Sequence, residues 1–103
     1  MPTFSHVVNI IPPTTREDGT PLLPEEIREF QISRGNVSGS YNSFAATVPG
    51  DQRTAEIPLD DRNEWYLAAK AVDQDGRVSQ FGGEVFIPKG PEPPSAPDLT
   101  LVS

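Results

Sequence analysis

His6 is the one histidine of this chain, and no cysteine accompanies it. A Ser/His/Asp relay needs an imidazole beside a hydroxyl and a carboxylate. The residues around His6, TFSHVVNII from Thr3 to Ile11, are instead mostly β-branched and apolar. They predict a partly buried or edge histidine on a strand. Asp73-Gln74-Asp75-Gly76 resembles the front of a calcium loop, with Glu84 at the twelfth position. Such a loop needs its glycine sixth and an oxygen ligand fifth. Here glycine stands fourth and Arg77 fifth, so a hairpin turn is the better reading. Glu25-Glu26 and Asp60-Asp61 are acidic pairs in predicted loops, where solvated charge is the default. Nothing sets one carboxyl of either pair as acid and the other as base. Asn36-Val37-Ser38 fits a glycosylation pattern, but MPTFSHVVNII does not read as a signal peptide, so a plain loop is expected. Trp65-Tyr66 suggests a sugar-stacking platform, yet adjacent strand residues face opposite ways, leaving one exposed tyrosine. The expectation is a non-enzyme with no catalytic residues, no metal site and no cofactor.

The elements that position these residues follow from composition and pattern. With 103 residues the chain is one module, or one module plus a tail. Hydrophobic residues make up 35%, so the core is small, and 8 glycines with 12 prolines predict frequent turns. A net charge of -7 disfavours phosphate backbones and anionic lipid surfaces, so neither nucleic acid nor membrane is an expected partner. The lack of cysteine rules out disulfides, thiolate metal sites and thiol nucleophiles. No apolar run approaches the roughly 20 residues of a membrane-spanning helix.

Six strands are predicted. Thr3 to Ile11 is stopped by Pro12-Pro13, and a long loop through Asp18-Gly19 leads to one helical turn at Pro24-Glu-Glu-Ile. EFQISR (Glu29 to Arg34) alternates with period two, and SFAATV (Ser43 to Val48) ends at Pro49-Gly50-Asp51. RTAEIP (Arg53 to Pro58) is a further short strand. WYLAAKAV (Trp65 to Val72) is the clearest, with Trp65, Leu67, Ala69 and Ala71 expected on the core face. EVFI (Glu84 to Ile87) is the last. From Pro88 the sequence PKGPEPPSAP holds five prolines in ten residues, and DLTLVS follows. The expected division is a sandwich over 1–88 and a Pro-rich linker with an apolar tail strand over 89–103.

Four stretches together resemble a fibronectin type III domain of the bacterial and bacteriophage kind. They are PPTTREDGTPL (Pro12 to Leu22), IREFQISRG (Ile27 to Gly35), SGSYNSFAATVPG (Ser38 to Gly50) and LDDRNEWYLAAKAVDQDGRVS (Leu59 to Ser79), about 70 residues in all. The resemblance implies an all-β, immunoglobulin-like antiparallel sandwich. In the last stretch the family's corner aromatic, usually tyrosine, falls on Trp65, so the corner is expected to be built differently. The family's first strand should precede TFSHVVNII, yet Met1 and Pro2 alone stand there. PPSAPDLTLVS looks like the opening of such a module placed at the other end of the chain.

A sandwich without an edge strand is a template for strand addition. Leu99, Leu101 and Val102 are the predicted interface residues, donated to a neighbouring subunit or another protein, or left as an unpaired tail. The resemblance implies a virion accessory protein, bound to a capsid, a tail or a neighbouring copy through its C-terminal tail or sheet edge. The alternative is a spacer or adhesion module of a larger bacterial surface protein or glycoside hydrolase that binds carbohydrate.

Overall fold

The alternation at Glu29 to Arg34 and at Trp65 to Val72 becomes the two central strands of the molecule. The computed structural model describes residues 3–91 and 94–102; Met1 and Pro2, the linker residues Glu92 and Pro93, and Ser103 lie outside the described residues. Among the described residues six strands form: β1 (Thr3–Asn9), β2 (Ile27–Gly35), β3 (Ser43–Pro49), β4 (Thr54–Asp60), β5 (Trp65–Asp73) and β6 (Val85–Ile87). A 3-10 turn, Pro24–Glu26, precedes β2. Its proline occupies the first helical position, and Glu26 Oε2 accepts from the Leu23 N–H at 2.9 Å.

The strands make two antiparallel sheets, one of order β1-β4 and one of order β3-β2-β5-β6. The two stack as an all-β sandwich. Its core is Ile27, Phe30 and Ile32 of β2, Val48 of β3, Ala55, Ile57 and Leu59 of β4 and Leu67 of β5, all buried. Trp65, Ala69 and Ala71 pack against that cluster, as the core face of β5 predicted. Ala68 is buried as well, although it points to the other face of the sheet.

Several strand ends differ by one or two residues from the expected ones, and three of these shifts have a local reason. β1 stops at Asn9, because Ile10 keeps one bond to the Arg53 carbonyl (2.8 Å) before the prolines end the ladder. β4 runs through Pro58 to Asp60 instead of stopping at the proline. Pro58 lies opposite Ser5, and the bonded pairs alternate back from Ile10 to Val8, His6 and Phe4. The missing N–H of Pro58 therefore points away from β1, where it breaks no ladder. β6 starts at Val85, since Glu84 is drawn aside by a polar cluster described below.

The corner before β5 is built on tryptophan. Trp65 Nε1–H donates to the Asp60 carbonyl at 2.7 Å, and the Arg34 guanidinium lies 5.2 Å from the ring centroid. Arg34 also donates to the Pro58 carbonyl at 3.2 Å. These contacts close the β4 flank of the sandwich. On the β1 flank, no strand pairs with the outer edge of β1 among the described residues.

Candidate functional site

The open flank is a groove between the outer edge of β1 and the β5-β6 side of the larger sheet. Its volume is about 1180 Å³. Val8 and Ile10 form one wall, Leu67, Ala69 and Ala71 the other, and Phe30 and Ile32 the floor. The β5 wall is made of small side chains, which leaves room for larger ones from outside. Because Phe4, His6 and Val8 spend their backbone bonds on β4, Ser5, Val7 and Asn9 present their N–H and C=O groups to the open edge. Val7 is 70% exposed and sits in the middle of that edge. An apolar trough beside unpaired backbone groups suits one kind of visitor, an extended strand with alternating apolar residues.

The far end of the groove, where β1 finishes, is polar. There Asp73 is 7% exposed and takes up every bond its carboxylate can make. Arg16 Nη1 donates to Oδ2 at 2.8 Å, the N–H groups of Asp75 and Arg77 donate to Oδ1 at 3.0 and 2.8 Å, and Arg77 Nη1 lies 3.4 Å from Oδ2. The calcium-like stretch is thus a hairpin turn whose first aspartate binds arginines and backbone. Gly76, at φ 86°, supplies the left-handed residue of that turn. Arg16 belongs to the β1-β2 loop, so Asp73 pins that loop to the end of β5.

The Arg16 guanidinium, then the Arg77 N–H, hold the Asp73 carboxyl down at about 2, against an ordinary 3.8. A carboxylate depressed on folding contributes stability that is complete above 3.8 and is lost as pH falls through about 2. Urea midpoints taken between pH 5 and pH 1.5 are expected to drop steeply across that window. In Asp73→Asn the midpoint at pH 7 falls and the slope between 3.8 and 2 flattens. An unchanged slope would mean that Asp73 does not govern acid tolerance.

Near the start of β1, His6 faces inward opposite Ile57 and is half-buried. It lines a second hollow of about 450 Å³ with Phe4, Trp65, Ile87 and Gly90. Among the described residues no hydroxyl or carboxylate is hydrogen-bonded to it, and no cluster of three metal-ligating side chains includes it. The two acidic pairs are separate from each other: Glu25-Glu26 sits in the 3-10 turn, while Asp60-Asp61, at the end of β4, lines the same hollow as His6.

Leu99, Leu101 and Val102 are 95%, 96% and 88% exposed. No strand forms after Ile87 among the described residues. Gly90 N–H donates to the Asp61 carbonyl at 2.8 Å, which fixes where the tail departs, beside the beginning of β1. The chain extends 79 Å along its long axis and 23 and 18 Å across it. Its radius of gyration is 19.2 Å, against roughly 13 Å for a compact chain of this length. The tail continues away from the sandwich instead of lying in its own groove.

Two features escaped the reading of the sequence. Glu84 accepts from Ser38 Oγ (2.7 Å), the Gly39 N–H (2.9 Å) and Tyr41 Oη–H (2.6 Å), clasping the β2-β3 loop to the start of β6. Those donors, the Tyr41 hydroxyl foremost, hold the Glu84 carboxyl below its usual range. Tyr66 is also not alone on the outer face of the larger sheet. Its ring lies 5.1 Å from Phe86, while Tyr41 meets Phe81 edge-on at 4.8 Å and Lys70 Nζ stands 4.5 Å over Phe81. The signal available for this row was its cross-strand placement, which needs the register of β5 against β6.

Comparison with family models, with curated proteins and with solved structures finds no match.

Proposed function

We propose that this chain is a non-enzymatic interaction module, a type III-like sandwich that attaches to a larger assembly by taking up a strand at the edge of β1. The open β1 edge beside an apolar groove carries this reading. The strand orders, with a two-stranded sheet where three strands are expected, support the type III-like assignment, and so does an aromatic anchor at the corner before β5. The setting implied by the resemblance is a virion, with the chain as an accessory protein of capsid or tail.

The discriminating variant is Val7→Pro. Its N–H faces the open edge and not β4, so proline removes a donor for an incoming strand and leaves the β1-β4 ladder intact. The expected result is an unchanged circular dichroism spectrum and melting midpoint, with loss of the protein from purified particles that retain the wild type. Absence of the wild type from such particles overturns the virion setting; normal attachment of Val7→Pro overturns strand addition. The row of rings on the outer sheet face favours a second reading, a carbohydrate-binding adhesion module. That reading expects Val7→Pro to attach normally and Tyr66→Ala to fail.

A further inference from the structure

We infer that the occupant of the groove is the tail of a second copy of this chain, residues 98–102, running antiparallel to β1. The inference rests on the strand-addition reading above and names its partner.

The chemistry of the tail matches the groove. In an extended Asp98-Leu99-Thr100-Leu101-Val102, Leu99 and Leu101 point to one face and Asp98, Thr100 and Val102 to the other. One face would fill the trough against Ala69 and Ala71, and the backbone would pair with Ser5, Val7 and Asn9. The opposite face would meet Val7, itself 70% exposed. Both leucines are almost fully exposed in the isolated chain, so each gains by burial what an ordinary core leucine gains.

Direction decides whose tail it is. The tail departs beside Phe4 and Ser5, where β1 begins, with Pro88 and Gly90 lining the same hollow as those residues. Folded straight back, it would run parallel to β1. Antiparallel entry comes from the opposite end, beside Asn9. β1 has seven residues, roughly 23 Å at ~3.3 Å each. The seven residues from Pro91 to Pro97 span about 22 Å as a polyproline-like rod. They would be used up in reaching that end, with none left for the reversal. A second molecule stacked end to end has its tail already aimed into the groove. The contact is heterologous, with the tail of one copy in the groove of the next, so it propagates into rows unless the rotation closes a ring.

The test uses the full chain and Leu99→Asp/Leu101→Asp, whose substituted side chains touch nothing in the sandwich. Light scattering over a wide concentration range is read with amide hydrogen exchange at Ser5, Val7 and Asn9. The expected result is a mass that rises above the 11.2 kDa of one chain, together with growing protection at those amides. Both are lost in the double variant, and a peptide of residues 94–102 added to that variant restores the protection. A single-chain mass with unprotected amides at every concentration overturns the inference. So does a single-chain mass with protection that the double variant loses, which assigns the groove to the chain's own tail. Oligomers that survive in the double variant overturn it too, by placing the contact elsewhere. In the first and last of these cases loss of particle attachment by Val7→Pro still supports the open edge as a docking site, so the two failures are separable; a groove filled by the chain's own tail overturns both.

Discussion

Gly50→Ala is expected to lower the stability of the chain by about 3 kcal/mol, more than a surface turn glycine would suggest. The backbone at Gly50 does not demand glycine by its φ, since the left-handed glycines are Gly19, Gly39 and Gly76. Space demands it. A Cβ on Gly50 would collide with the carbonyl group of Ile27 and crowd the carbonyl carbon of Arg28, and both are backbone that cannot swing aside. The same residue donates its N–H to the Arg28 carbonyl at 2.9 Å, so moving it away breaks a bond while relieving the clash. Gly50 lies in the turn that carries the chain from β3 in one sheet to β4 in the other. Displacing it shifts the strand on which β1 depends. Urea unfolding at neutral pH measures the loss, and Gly83→Ala is the control. Nothing lies within 4 Å of the added Cβ at Gly83, and its φ is not positive, so little change or a slight gain is expected. Equal effects at the two positions would show that the close approach at Gly50 is not a constraint.

The turn at Pro49-Gly50-Asp51 was legible in the sequence; the reason for its glycine was not. That contrast holds across the molecule. β2 and β5 could be read because one buried face imposes a period of two on neighbouring residues, and the pattern survives in the one-dimensional string. The 3-10 turn at Pro24–Glu26 was readable from its proline and acids in the same local way. Pro58 misled, because a proline ends a strand only where its missing N–H is needed, and that depends on register with β1. The groove was partly visible, by counting strands against a resemblance. Its walls were not, because Val8 and Ala69 are brought together by sheet stacking. The polar clusters were hidden for the same reason. Arg16 and Asp73 are 57 residues apart, and Tyr41 and Glu84 are 43 apart. No periodicity links such pairs, and the charge of either partner alone reads as solvated loop.

Ile57→Ala is the second large effect, and it joins stability to assembly. A two-stranded sheet is marginal by itself, so β1 and β4 stay in place through the side chains they bury against the larger sheet. Ala55, Ile57 and Leu59 do this for β4, and Ile57, at 0% exposure, lies between the other two, opposite His6. Truncating a buried isoleucine to alanine costs about 2–5 kcal/mol, the size depending on how far the surroundings collapse into the space. Ile57 does not line the groove, so the void it leaves is closed to water and to groove side chains. The upper half of that range is expected, as a lower urea midpoint with an unchanged slope. A third strand seated on β1 would enlarge the weakened sheet, and whatever binds the folded form alone raises its apparent stability by mass action. The midpoint of Ile57→Ala should therefore climb with protein concentration, and stop climbing when Leu99→Asp and Leu101→Asp are added. A midpoint that is low and independent of concentration in both backgrounds would leave Ile57 as core packing alone, and would separate the holding of the small sheet from the filling of its open edge.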